Sequence, residues 1–330
     1  MSFKNNFTIK DLNLSHNIIY APLAEYTDFA FRRLVRNYHT SLMYCEMVKM
    51  QALVREKTTK LLKYTKDMKP LGAQLCGADP SIAFDSAKKL EDSGFDTIDL
   101  NCGCPVHKVV KDGSGAALLK EPKLISQILS EMVKAVKIPV TIKIRLGWDD
   151  SSIVATDIVK IAIDAGCSAI TIHGRTRKQG YSGKSDWNYI TECKKVAQDN
   201  ILVFANGDLY SAEDVKNVFE LTKCDGVMIA RGMLFSPWLS NDIESYYTNS
   251  IKPSFSRKEA ILKYISYLLD EKKENAIFDL RRISGWFFRG IENIKNLRIS
   301  INAATNIDQA IKLIEGFDFD ERDNSAPCSL

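Results

Sequence analysis

Residues 97–118 read TIDLNCGCPVHKVVKDGSGAAL. An apolar, β-branched run carries the chain to Leu100 and stops in Asn101, Cys102, Gly103, Cys104 and Pro105. A basic segment punctuated by Gly113 and Gly115 follows. A continuous apolar run of this length suits a strand buried on both faces, as in a parallel sheet. The proline at its end stops the ladder, because it has no N–H to donate. Whether the chain repeats this abrupt ending decides the fold.

It does. Outward on both sides lie IIYAP (18–22), SLMYCEM (41–47), LGAQLC (71–76), VTIKIR (140–145), AITIHG (169–174), ILVFANG (201–207) and DGVMIAR (225–231). With DTIDLNCG (96–103) they make eight short apolar runs. The stretches between them, such as SIAFDSAKKLEDSG (81–94) and ATDIVKIAIDAG (155–166), carry apolar residues at helical spacing and end in glycine, a helix stop. Eight strand–helix units in about 240 residues predict an α/β fold of the (β/α)8 TIM-barrel type. A doubly wound sheet normally carries a GxGxxG turn after its first strand. Here APLAEYTD (21–28) stands in that place.

Each predicted strand hands its C-terminal end to a chemically useful group. In order these are Pro22 with Ala24, Glu46, Gln74, Asn101 with Cys104, Lys143 with Arg145, His173 with Arg175, Asn206, and Arg231. In a barrel those ends converge on the face that carries active sites. After the seventh and eighth strands, Asn206, Gly207, Asp208, Arg231 and Gly232 are candidate phosphate contacts, since barrels often hold a phosphate there on backbone N–H groups and a helix start. Two ordinary turns capped by Asp208 and Ser211 explain the same residues equally well.

The rhythm changes after residue 250. PSFSRKEAILKYISYLLDEKKEN (253–275), AIFDLRRISGWFFRGIENI (276–294) and NLRISINAATNIDQAIKLIEGF (296–317) read as amphipathic helices with no strand between them. Two domains are expected, a catalytic barrel over 1–250 and a helical domain over 251–330. The second helix sets Arg281, Arg282 and Arg289 around Trp286, Phe287 and Phe288. Aromatics beside arginines grip RNA by stacking and phosphate contact, but core packing is the first reading of Trp286 and Phe287.

Composition bounds these readings. The chain has 330 residues, 45% of them hydrophobic and 26% charged, with a net charge of +4. No apolar run approaches the roughly 18 residues of a membrane span, and MSFKNNFTIKDLNLSHN lacks the apolar centre of a secretion signal. Eight cysteines, mostly inside apolar runs, read as reduced thiols, so a cytoplasmic location is expected. No metal is expected at Cys102 and Cys104, because Cys45, Cys76, Cys167, Cys193, Cys224 and Cys328 are too scattered to complete a ligand set. Charge is uneven. Residues 55–69 carry six basic side chains (Arg55, Lys57, Lys60, Lys63, Lys66, Lys69) against two acidic ones, residues 251–300 eleven against six, and residues 301–330 sum to −4. Taken alone, such runs read as solvated helix faces.

Several blocks together resemble the tRNA-dihydrouridine synthases, nearly end to end. APLAEYTDFAFRRL (21–34) is similar to the family's APMAGVTDxxFR opening, and LNCGCPVHKVVKDGSGAALL (100–119) to its NxGCPxxKVxxxxxGxxLL loop. IKIRLGWDD (142–150), TIHGRTRKQGYSG (171–183), VFANGDL (203–209) and IARGMLFSPWL (229–239) follow in the family's order. The bacterial B-type branch is nearest. Departures are Leu23 for methionine, Glu25 for glycine, Cys102 where methionine is common, and Ile283 where the B-type pattern has histidine.

The resemblance implies an FMN enzyme that reduces the C5=C6 bond of uridine in tRNA with electrons from NADPH. It implies that Pro22, Leu23, Ala24 and Gln74 lie along the flavin, that Lys143 sits at its N1–O2 edge with His173 beside it, and that Asn206, Gly207, Asp208, Ala230 and Arg231 take the phosphate and ribityl chain. Cys104 would be the general acid, giving a proton to C5, and Cys102 a packing residue. Asn101, Lys108, Lys111, Arg145, Arg175, Arg281, Arg282 and Arg289 would face RNA, with Lys295 and Arg298 also in the helical clamp. A monomer without an obligate protein partner or membrane is expected. The rival expectations are a dihydroorotate dehydrogenase-like barrel acting on a small molecule, a synthase acting on ribosomal RNA, and an RNA remodeller without chemistry.

Overall fold

The computed structural model describes residues 2–55, 60–272 and 275–319. Lys57, Cys328 and the acidic residues after 319 lie outside them. Two strands open the chain, β1 (Asn5–Ile9) and β2 (Leu12–His16), paired antiparallel. Eight more follow: β3 (Ile18–Tyr20), β4 (Leu42–Lys49), β5 (Leu71–Cys76), β6 (Thr97–Cys102), β7 (Val140–Arg145), β8 (Ala169–His173), β9 (Leu202–Asn206) and β10 (Gly226–Ile229). They close into a parallel barrel in sequence order, β10 pairing with β3. The expected TIM barrel is therefore what this chain forms, each run of the sequence falling on one strand.

The register sorts the inward-facing residues by height. Near the N-terminal ends of the strands, Ile19, Leu42, Tyr44, Ala169, Phe204 and Met228 form one apolar cluster with Phe7, Ile9 and Leu14 of the β1–β2 hairpin. In that hairpin, Phe7 and Ile9 alternate with exposed residues as a half-buried strand requires, a strand beyond the eight expected from the sequence. It stops the barrel from below, with the Phe7 ring edge-on to Phe204 at 5.9 Å. Gly72 makes room for the Tyr44 ring, where an added Cβ would lie 2.3 Å from Tyr44 Cε1. Nearer the C-terminal ends the inward positions turn polar. Gln74 pairs in register with Asp99, Asp99 with Thr141, Asn101 with Lys143, Arg145 with His173, and His173 with Asn206. The apolar floor anchors the closure and leaves the upper layer free for chemistry.

By compactness the chain divides into two units, the first made of 1–24, 41–209 and 213–230, the second of 25–40, 210–212 and 231–330. The second is helical: Phe29–Arg36, Arg231–Phe235, Leu239–Thr248, Arg257–Lys272, Ala276–Phe287, Ile294–Ala303 and Ile307–Glu315. The stretch read as a single helix over 296–317 is two, because Asn306 caps a new start by accepting the Gln309 N–H at 2.9 Å. Phe287 stacks on Tyr264 and is fully buried, as expected of core. Trp286 is half-buried, edge-on to Phe235 at 5.4 Å. Ile283, at the position of the family histidine, is buried in this unit. No helix of the described residues is long and apolar enough to cross a membrane.

Candidate active site

The C-terminal ends of the barrel strands carry Gln74, Asn101, Lys143, Arg145, His173 and Asn206, with Cys104 just beyond β6. Asn101, the penultimate residue of β6, turns its side chain over the segment that follows. Its Oδ1 accepts the N–H groups of Gly103 at 3.1 Å and Cys104 at 2.9 Å. The Cys104 carbonyl accepts the Ala116 N–H at 3.0 Å, and the Gly103 carbonyl accepts Arg145 Nε at 2.9 Å. Gly115 makes the tight return possible. Its φ of +62° suits glycine, and a Cβ there would meet the Cys104 carbonyl oxygen at 2.8 Å. The loop is also tied through Asp112, which forms an ion pair with Lys49 at the end of β4.

Cys104 is half-buried, whereas Cys45, Cys76, Cys102, Cys167, Cys193 and Cys224 are buried. Cys102 is thus packing, as expected. Burial pushes the Cys104 thiol up, against the Val106 N–H and the cations Arg145, Lys49 and Lys143, which pull it down. Burial prevails, so the thiol keeps its proton at neutral pH. Among the described residues no group of His, Cys, Asp or Glu forms a metal site.

Beside it, Lys143 donates from Nζ to Asn206 Oδ1 at 2.9 Å, and Asn206 Nδ2 donates to the Met228 carbonyl at 2.7 Å. Burial and the neighbouring Arg145 lower Lys143 to about 8, against the pull of Asp99 and Cys104. It is still a cation at pH 7. Gln74 is buried, donating to Asp99 Oδ2 at 2.7 Å and accepting from Asn101 Nδ2 at 2.7 Å. Pro22 and Leu23 are half-buried and Ala24 exposed on the segment leaving β3. Ala230 follows β10 and packs against the barrel's apolar cluster.

Past β9 the backbone turns through Gly207 (φ +112°) and Asp208 (φ +57°). A Cβ on Gly207 would meet Ser185 Oγ at 2.4 Å and His173 Cδ2 at 2.7 Å, so only glycine fits between them. The Asp208 carboxylate is spent on Arg175, at 2.9 and 2.8 Å, and on the Ser185 N–H at 2.7 Å. What this turn offers outward is its backbone.

Arg175 and Arg145, expected to face RNA, are buried. Arg175 also donates to the carbonyls of Ser182 and Gly183, and Arg145 to those of Thr176 and Gly180. They brace the loop over 174–183 from beneath. Lys108 and Lys111 are exposed beside the Cys104 loop. In the second unit, Arg231 opens the helix Arg231–Phe235 with its guanidinium 5.7 Å from the Tyr210 ring. Arg281 donates to the Ala304 carbonyl at 2.5 Å, Arg282 pairs with Asp279, and Arg289 lies 5.5 Å from the Phe235 ring. Lys295 and Arg298 are exposed.

A family model described as dihydrouridine synthase matches residues 19–320. The chain belongs to the dihydrouridine synthase family. It is 38% identical over 302 residues to a probable tRNA-dihydrouridine synthase of Rickettsia bellii, covering 89% of this chain and 92% of that one. Identity to tRNA-dihydrouridine synthase B of Pasteurella multocida is 35% over 316 residues, covering 94% and 95%. Among solved structures, histamine dehydrogenase from Rhizobium sp. 4-9 superposes with a TM-score of 0.58 at 12% identity, over 79% of this chain and 50% of that one. The chain therefore spans half the length of that enzyme, and the likeness concerns the barrel fold alone.

Asp99 escaped the sequence reading. It lies inside the apolar run, two residues before Asn101, and nothing in composition separates it from a strand residue that happens to be polar. The signal available was the acidic residue itself, since a lone carboxylate inside a buried strand needs partners.

Proposed function

We propose that this chain is an FMN-dependent tRNA-dihydrouridine synthase that reduces the C5=C6 bond of uridine, with NADPH as electron source and Cys104 as proton donor. The observation that carries it is Cys104, a half-buried thiol held protonated and pinned through both its N–H and its carbonyl at the end of β6. Reduction of the uracil double bond adds a hydride at C6 and a proton at C5, and FMN when bound supplies the hydride. An acid for C5 must start protonated, which burial secures here.

The residues present fit FMN on physical grounds. The turn after β9 has no side chain at Gly207 and spends the Asp208 carboxylate on Arg175, so its backbone is what it can offer a phosphate. Lys143, cationic at pH 7, suits a group that gains negative charge on reduction. Gln74 supplies an amide for ring edges, and Pro22, Leu23 and Ala24 an uncharged flank. Asn206 orients Lys143 through its Oδ1. His173, buried against the same turn, fills the space beside it.

A uridine inside a folded RNA must be flipped out to reach such a mouth, at a cost of about a few kcal/mol. Exposed Lys108 and Lys111 beside the Cys104 loop suit the flanking phosphates. Lys295 and Arg298, together with the basic run that includes Lys60, Lys63 and Lys66, suit longer-range attraction to the RNA backbone. The relatives' names support tRNA as substrate. Dihydrouridine mapped in total RNA from cells with and without the gene tests this. Loss of one or more tRNA dihydrouridines supports the reading. An unchanged tRNA map, or loss confined to ribosomal RNA, contradicts it.

A further inference from the structure

Asn101 holds the Cys104 segment, but an amide side chain can hold it in one sense only. The Gly103 and Cys104 N–H groups are obligatory donors, so the Asn101 atom facing them must be the carbonyl oxygen. Its NH2 then faces Gln74, which must answer with Oε1. Gln74 in turn aims its NH2 deeper into the barrel, where an acceptor is required. That acceptor is Asp99, fully buried, with Oδ2 on Gln74 at 2.7 Å and Oδ1 accepting the Thr141 hydroxyl at 2.6 Å. Every bond in the chain points the same way, toward the carboxylate.

We infer that Asp99 is a positioning residue for Cys104, fixing the sense of the Gln74 and Asn101 amides and through them the backbone that carries the thiol. It touches neither the substrate nor the thiol. The inference rests on the reading of Cys104 as the proton donor only for its functional weight, since the chain of bonds stands without it. Burying a carboxylate is costly even with the charge of Lys143 opposing that cost, and the proposed reaction gives Asp99 no step of its own. A neutral residue of the same volume would pack here at less cost. What an apolar residue cannot do is set the polarity of two amides in series. Removing the acceptor leaves Gln74 free to turn its Oε1 inward or outward. Turned inward, it sets NH2 against the NH2 of Asn101, and when Asn101 turns to answer with its oxygen the Gly103 and Cys104 N–H groups lose their acceptor.

Asparagine keeps the sense. Its oxygen can accept from Gln74 while its NH2 donates to the Thr141 hydroxyl, which rotates to accept. Alanine does not. The test is amide hydrogen exchange, resolved at Gly103 and Cys104, on the purified full chain, with Ile142 and Ile172 of β7 and β8 as internal references. In Asp99→Ala, exchange at Gly103 and Cys104 is expected to rise about tenfold relative to the parent, the loss of one net hydrogen bond each, while Ile142 and Ile172 do not change. Asp99→Asn is expected to retain the parent's protection. Should Asp99→Ala fail to fold, Gln74→Met cuts the same chain at its middle and predicts the same local rise. Unchanged exchange at Gly103 and Cys104, an equal rise at all four amides, or an Asp99→Asn protein as loose as Asp99→Ala would overturn the inference. The measurement needs neither FMN nor RNA. A protein that makes no dihydrouridine would sink the proposed function and leave this result standing.

Discussion

Cys104 and Asp99 sit five residues apart on one strand and its exit, and burial acts on both with opposite usefulness. It keeps the Cys104 thiol protonated, which suits an acid. It raises Asp99 to about 6 from an ordinary 3.8, ahead of the opposing hydrogen bonds from Thr141 and Gln74 and the charge of Lys143. The sign follows directly. Between about pH 4 and 6 the folded protein holds the Asp99 proton that the unfolded chain has released, so this group's contribution falls as pH rises through that window. That rise in the Asp99 pKa is worth on the order of 3 kcal/mol. Asp99→Asn, compared with the parent by urea unfolding, should therefore gain on the order of 2 kcal/mol more at pH 7 than at pH 4.5. An equal difference at the two pH values would contradict the buried-charge assignment. Cys104 stands out in the sequence because a strand ends there in thiols, a glycine and a proline, and its expected role as acid comes from the family resemblance. Asp99 does not, because its role depends on register with Gln74 and Thr141, which only the closed barrel supplies.

Among the elements, the eight barrel strands were legible because each is a short unbroken apolar run ending in a polar group. The β1–β2 hairpin is faint in the sequence because each strand is five residues long and carries only two buried positions. The helix break at Asn306 is hidden in the sequence because helical spacing continues across it. The loop between Cys104 and Gly115 invites a paired test. Gly115→Ala must strain a φ of +62° and displace the Cys104 carbonyl, whereas Gly183→Ala, at φ +64°, meets nothing within 4 Å. We expect Gly115→Ala to lose about 2–3 kcal/mol and Gly183→Ala about 1 kcal/mol, measured by thermal unfolding. Equal losses would mean the return at Gly115 is not tight. On the barrel floor, Phe204→Ala should cost about 3–5 kcal/mol in the same measurement, since it removes the ring that meets Phe7.

At the scale of the whole molecule the charge pattern was legible and its meaning was not. Arg281, Arg282 and Arg289 looked like the RNA-facing cations of the helical unit, but the first two are engaged within it and the third packs toward Phe235. Sequence alone cannot tell a cation that braces a carbonyl from one that faces water. The exposed Lys295 and Arg298 inherit the expectation. Replacing both with glutamate should weaken tRNA binding and flatten its salt dependence by about 1–2 in log–log slope. An unchanged slope would place the RNA elsewhere. The measurement that bears most directly on the central claim is dihydrouridine formation by Cys104→Ala, with FMN, NADPH and unmodified tRNA supplied. The variant should still bind FMN and oxidise NADPH while its dihydrouridine yield falls at least a hundredfold, the low end of what a general acid contributes. Yield equal to the parent's, or loss of flavin binding along with activity, would contradict the assignment of the proton to this thiol.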